Sequence, residues 1–257
     1  MILCIDIGNT RIRCALGTKT AYRQAAIDTV DVSDASCFAT FLQEKFGKDM
    51  QEITGGIYSS VVPQKNADVL QAIDVLNKNA IIRPVDVGQM SIDFTGYKSV
   101  LGEDRAVCSH IAVLKHKAPV IVIDFGTATT INFVNQDSAF VGGAILAGVQ
   151  TGIDALARGT ARLPQLDVTG NGNADTKIIG EDTYECLVSG AVVGAAFAAT
   201  GYIRHIGLLY TQKSIPCPEV VITGGNAPRV MPHCDFRFTY EPNLLIEGLF
   251  NLYESTL

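Results

Sequence analysis

Ile2-Leu3-Cys4-Ile5-Asp6-Ile7-Gly8-Asn9-Thr10 and Val120-Ile121-Val122-Ile123-Asp124-Phe125-Gly126-Thr127-Ala128-Thr129 are two versions of one design. In both, an apolar strand ends in Asp-x-Gly and runs on into residues with hydroxyl or amide side chains. A second strand-like run follows each, Arg11-Ile-Arg-Cys-Ala-Leu16 and Thr130-Ile-Asn-Phe-Val134, so each Asp-x-Gly marks the turn of a β-hairpin rather than a strand-to-helix turn. One such turn is as well explained by the ordinary preference of turns for Asp, Gly and Asn. Two copies, each with an acid at the strand end, point to phosphate chemistry and to a duplicated domain with a ligand between its halves. Gly8 and Gly126 let the backbone approach phosphate oxygens, while Asn9, Thr10, Thr127 and Thr129 donate hydrogen bonds. Asp6 can hold magnesium.

Outward from the hairpins, the pattern alternates between strand and helix. Phe38, Leu42 and Phe46 recur at helical spacing before Gly47. Strand character returns at Ile57–Val62, Pro63 opens a helix, and Ala80–Val85 reads as a strand. A helix from Glu103 to about His116 closes a first lobe, 1–117. The second, 118–257, continues with a strand at Ser138–Ile145 and a helix at Val149–Arg162 with Ala155 and Leu156 inward. A polar loop from Asp167 to Asp175 follows, including Gly170-Asn-Gly-Asn173. Next come a long helix from Asp182 to Gly207, the strand Glu219–Thr223, and a last helix from Pro242 with Leu245, Leu249 and Leu252 facing a core. This is a layered α/β chain.

The chain has 257 residues, 47% hydrophobic and 18% charged, with a formal charge of -6, and no basic run suited to nucleic acid or an anionic membrane appears. Seven cysteines, none in a Cys-x-x-Cys pair, read as reduced cytoplasmic thiols. The long uncharged stretch Leu187–Ile203 reads as a buried helix, with Gly190 and Gly194 allowing a neighbouring backbone to approach. The four histidines are scattered and suggest no zinc.

Two further constellations matter. Thr223-Gly224-Gly225-Asn226 ends an apolar strand with a surface on which adenosine can lie, although a plain tight turn explains it equally well. Leu101-Gly102-Glu103-Asp104-Arg105 sets an acid and a guanidinium at a helix start. Asp104 there is either a cap or the base for a substrate hydroxyl, with Arg105 holding a substrate carboxylate.

Together these motifs resemble the type III pantothenate kinases, of the two-lobed actin-like ATPase (ribonuclease H-like) fold shared with sugar kinases and heat-shock ATPases. The resemblance covers nearly the whole chain and rests on Asp6-x-Gly-Asn-Thr10 with Arg13, Ser60-Val-Val-Pro63, Gly102-x-Asp-Arg105, Asp124-x-Gly-Thr-Ala-x-Thr130, Gly142-Gly-x-Ile145 with Gly148, Thr183 before Ser189-Gly190, and Thr223-Gly-Gly225. It implies ATP-dependent phosphorylation of pantothenate, the first step of coenzyme A biosynthesis. Asp6, Gly8, Asn9, Thr10, Arg13, Gly126, Thr127, Thr129, Gly224 and Gly225 would then serve ATP and its magnesium, with Asp104 as base. Tyr97, Gly102, Arg105 and Thr183 would line the pantothenate site, and Asp124 would contact a potassium or ammonium ion. A homodimer in the cytoplasm is implied too, without nucleic acid or membrane partners. Two departures stand out: no proline follows two residues after Tyr97, and Ala147 replaces the family's proline before Gly148. Another small-molecule kinase of the same fold, or a catalytically silent nucleotide-binding regulator, remain the alternatives.

Overall fold

The computed structural model of the protein describes residues 1–168 and 176–255. Most of the loop expected from Asp167 to Asp175, including Gly170-Asn-Gly-Asn173, therefore lies outside the described residues. The chain forms two compact units: Met1–Ser91 with Lys98–Ile111 and Asn243–Leu257, and Ile92–Tyr97 with Ala112–Pro242. Where the repeat suggests one crossing near Lys117, the chain passes between these units four times.

The first unit is built on a five-stranded sheet of β1 (Ile2–Ile7), β2 (Arg11–Thr18), β3 (Ala21–Asp28), β4 (Gly55–Ser60) and β5 (Ile81–Pro84), in the order β3-β2-β1-β4-β5. β1, β2 and β3 are antiparallel, whereas β4 and β5 run parallel to β1. Two helices, α1 (Ala35–Phe46) and α2 (Pro63–Leu76), cover one face. Alternation along β1 sends Leu3, Ile5 and Ile7 into that core with Phe38, Leu42, Val69 and Ile73. The Asp34 carboxylate caps α1 by accepting the Cys37 N–H at 2.8 Å, and Pro63 sits in the first turn of α2, where a missing N–H costs nothing.

α3 (Glu103–His116) follows the expected bounds, and the final helix of the chain, numbered α7 below, returns to this unit.

The second unit repeats the plan with β6 (Val120–Phe125), β7 (Ala128–Val134), β8 (Phe140–Ala147), β9 (Glu219–Thr223) and β10 (Thr239–Tyr240), in the order β10-β9-β6-β7-β8. Strand for strand this is the first sheet again: an antiparallel meander β6-β7-β8, with β9 and β10 parallel to β6. The duplication read from the Asp-x-Gly hairpins thus extends to whole sheets. α4 (Val149–Gly159), α5 (Thr183–Gln212) and the short α6 (Ala227–Val230) pack on it, with Ile153, Val192, Ala196 and Ala199 meeting Ile121, Ile123, Phe125 and Ile131. α7 (Leu244–Ser255) buries Leu245, Leu249 and Leu252 as expected, and Gly248 lets it approach Val107 of α3.

Two local expectations differ. Ala155 and Leu156 are exposed, because the inward stripe of α4 falls on Val149 and Ile153. α5 continues past Gly207 to Gln212 and is not wholly buried: by length and composition it could cross a membrane, yet under half of its most apolar window is covered. Phe197, Tyr202, Leu208 and Leu209 project into the open, and nothing lies within 4 Å of a Cβ built on Gly190 or Gly194. Among the described residues those glycines have no close neighbour and border a cavity instead.

Candidate active site

At the end of β1, Asp6 is only 7% exposed. Register sets Arg13 beside it on β2 and Ser59 beside it on β4, so a carboxylate, a guanidinium and a hydroxyl form one row on one face. The Ser59 hydroxyl donates to Asp6 Oδ1 at 3.3 Å. Beyond them the turn is braced: the Gly8 N–H donates to Arg11 O at 3.1 Å, and the Thr29 hydroxyl to Gly8 O at 2.7 Å. The Thr29 N–H also holds Thr10 O at 2.9 Å. Asn9 and Thr10 remain exposed at the tip. Ser59 and Thr29 were not singled out in the sequence. Only the strand pairing reveals Ser59, and only the return of the chain after β3 reveals Thr29.

The first turn of α3 carries Glu103, Asp104 and Arg105. Glu103 Oε2 accepts the Ser60 N–H at 2.8 Å, and the Val61 N–H donates to Ile7 O at 3.1 Å. Those bonds tie the acid-bearing helix end to the strand neighbouring the Asp6 hairpin. Asp104 Oδ1 accepts the Arg105 N–H at 2.8 Å, and a Cβ on Gly102 would stand 2.6 Å from that oxygen. Burial pushes the Asp104 carboxyl above its ordinary value, with the Arg105 N–H and guanidinium pulling it back. Burial also raises Glu103, opposed by the Ser60 N–H and reinforced by the charge of Asp104. Asp104 thus has one oxygen engaged with the helix and sits where a carboxylate is a better base than in water.

In the second unit the same row recurs. Asp124, at the end of β6, has Thr130 beside it on β7 and Thr223 on β9. The Gly126 N–H donates to Ala128 O at 3.1 Å, and the Asn226 side-chain amide to Gly126 O at 3.1 Å. Thr127 is exposed at the tip, its carbonyl accepting from the Thr151 hydroxyl at 2.7 Å and the Gly148 N–H at 3.1 Å. Gly224 has φ +99°, and a Cβ there would meet Asp124 Oδ1 at 2.3 Å and the Phe125 backbone at 2.6 Å. That glycine brings the β9 turn against the Asp124 hairpin, while Gly225 next to it faces open space. Thr129 pairs with Phe125, one residue out of step with Asp124, and so lies on the opposite face of the sheet.

Thr183 begins α5 behind Asp182, whose carboxylate caps the helix by accepting the Glu185 N–H at 2.8 Å. It borders a cavity of about 940 Å³ walled by β7, the end of β8, α4 and α5. Tyr97 packs edge-on against Phe140 of β8, ring centroids 5.3 Å apart.

Among the described residues no group of three or more His, Cys, Asp or Glu could hold a metal. A single carboxylate such as Asp6 nonetheless suits magnesium, which takes one or two carboxylates and fills its shell with water and phosphate oxygens. His110 has a packing role: its Nδ1 accepts the Ser91 N–H at 3.1 Å, which leaves the Nε2 proton directed to Asn251 Oδ1 at 3.3 Å.

A model of the type III pantothenate kinase family matches residues 2–205. A type III pantothenate kinase of Rhodococcus opacus is 31% identical over 99% of this chain and 95% of its own length. One of Thermus thermophilus is 32% identical over 98% of both chains. Among solved structures, an ethanolamine utilization protein of Carboxydothermus hydrogenoformans superposes with TM-score 0.54 at 12% identity, over 97% of this chain and 88% of that one. The activator of 2-hydroxyisocaproyl-CoA dehydratase from Clostridium difficile gives 0.53 at 12% identity, over 99% and 94%. These likenesses bear on the fold, which is the actin-like ATPase and sugar-kinase architecture with two mixed five-stranded sheets.

Proposed function

The chain belongs to the type III pantothenate kinase family and on that premise phosphorylates pantothenate with ATP in coenzyme A biosynthesis; we propose how its residues divide that work. Asp104 takes the proton of the acceptor hydroxyl as that oxygen bonds to the γ-phosphorus and ADP departs. Such a transfer passes through a loose transition state, so positioning and charge neutralisation supply most of the acceleration and an aspartate suffices as base. The observation that carries this reading is the Glu103–Ser60 bond, which fixes the first turn of α3 to the strand beside the Asp6 hairpin.

Arg105 is the fork for the pantothenate carboxylate, with Gly102 leaving room for the Asp104 carboxyl; Tyr97 and Thr183 border the acceptor. Gly8, Asn9, Thr10 and Arg13 serve the phosphates from the first hairpin, and Gly126 and Thr127 from the second. Gly224 and Gly225 offer the flat surface for adenosine. Asp6 would hold magnesium, which when bound neutralises charge on the phosphate oxygens. Asp124 would hold a potassium or ammonium ion beside the second turn. We further propose that the protein is a cytoplasmic homodimer: the free thiols suit a reducing compartment, and α5 exposes an apolar stripe through Phe197 and Leu208.

The decisive test is a coupled assay of purified protein with ATP, magnesium, potassium and pantothenate. Phosphopantothenate and ADP form in equal amounts, at a rate that falls when sodium replaces potassium. Folded protein that leaves pantothenate untouched overturns the assignment.

A further inference from the structure

The cavity beside α5 is lined by a buried hydroxyl that has no partner among the described residues. Thr129 is 2% exposed, its Oγ1 has no hydrogen-bond partner among the described residues, and the residue lines the cavity. A buried hydroxyl left unsatisfied costs about 1–3 kcal/mol, so its retention calls for a partner. Strand register turns this hydroxyl away from the acid of the second phosphate hairpin. Asp124 shares a face with Thr130 and Thr223, whereas Thr129 shares the other with Phe125 and Leu146, toward α4 and α5.

The rest of the cavity states what the partner is. Its walls are Leu146, Ala147, Gly152, Leu187, Gly190 and Gly194, small or apolar side chains that suit a branched aliphatic group. None of the lining residues is basic, while Glu181 and Asp182 stand at the rim beside Thr183. A carboxylate or phosphate in that setting would meet two like charges and have only the neutral hydroxyls of Thr129 and Thr183 among the lining side chains to replace its hydration. A neutral amide loses far less and needs only one or two hydrogen bonds.

We infer that Thr129 is a specificity residue of the acceptor site, its hydroxyl hydrogen-bonding the amide of pantothenate while the small-residue walls hold the branched methyl groups. This rests on the pantothenate reading above and moves Thr129 from the nucleotide to the acceptor. It also gives Ala147 a role, since its small side chain forms part of that wall.

Steady-state kinetics of Thr129→Val and Thr129→Ser, varying each substrate in turn, test the inference. Loss of one neutral hydrogen bond raises the KM for pantothenate roughly fivefold to tenfold in Thr129→Val, with the KM for ATP within about twofold of its starting value. Thr129→Ser restores most of the loss. A rise in the KM for ATP instead returns the hydroxyl to the phosphates and overturns the assignment. So does an unchanged KM for both substrates with a raised unfolding temperature, which makes the hydroxyl a plain packing defect. Active wild-type protein with either of those results refutes only the Thr129 assignment; a folded wild type inert toward pantothenate removes both this inference and the function it rests on.

Discussion

At the scale of single residues, Asp104 is placed between two demands. Burial raises its pKa, and the neighbouring Arg105 only partly offsets that. A base must be ionised to act, so turnover falls on the acid side at a higher pH than a free aspartate would impose. The same shift has a stability consequence whose sign is the reverse of the usual carboxylate case. With the folded-state pKa above the unfolded one, the folded protein holds the proton more tightly. The associated stability is full below the unfolded pKa and is lost as pH rises through the folded value. Asp104→Asn should therefore lower kcat by about a hundredfold or more while raising the unfolding midpoint at neutral pH. Near-normal turnover in that variant would make Asp104 only the cap of α3. The position was legible in Gly102-Glu-Asp-Arg105, but the part played by Glu103 was not, because its partner is a backbone N–H more than forty residues earlier in the chain.

At the scale of elements, both hairpins were legible because each is local: strand, turn and return strand are contiguous, and the residue types match the pairing found. The supports were not, since Ser59 and Thr223 come from parallel strands separated from β1 and β6 by long crossovers. β8 shows how tightly such pairing can be set. A Cβ on Gly143 would stand 1.7 Å from Ile131 O, so the strands β7 and β8 approach only because that side chain is absent. Gly143→Ala should cost about 1–3 kcal/mol in urea unfolding, through forced separation of these two strands. An unchanged midpoint would mean that the strand edge yields without loss. α5 is the element misjudged from composition. A run rich in Ala, Gly and Val reads as buried by hydropathy, yet periodicity sends Val192, Ala196 and Ala199 to the core, half-buries Val188, Ala195 and Ile203 beside them, and leaves Phe197 and Tyr202 exposed.

At the scale of the whole molecule, the duplicated sheets and the open face of α5 are the two facts with consequences. Phe197 is 55% exposed and Leu208 61%, eleven residues apart and thus on one stripe after about three helical turns. An exposed apolar stripe of that kind fits the proposed homodimer. Replacing both residues by Asp should yield a monomer by light scattering while circular dichroism stays that of a folded protein; an undiminished dimer would locate the interface elsewhere.

By itself the sequence determined the α/β class, the duplication, the two acid-bearing hairpins and the helix start that carries Asp104 and Arg105. All of these are encoded within short contiguous stretches, where residue type and spacing act directly on local backbone and hydrogen bonding. Tertiary structure alone decided which residues stand beside each acid and on which face Thr129 falls. Strand register assigns every side chain to one face or the other, and a displacement of one residue reverses the assignment. Thr129 and Thr130 look alike in the motif from which both were read; β-pairing turns one toward Asp124 and the other toward the cavity.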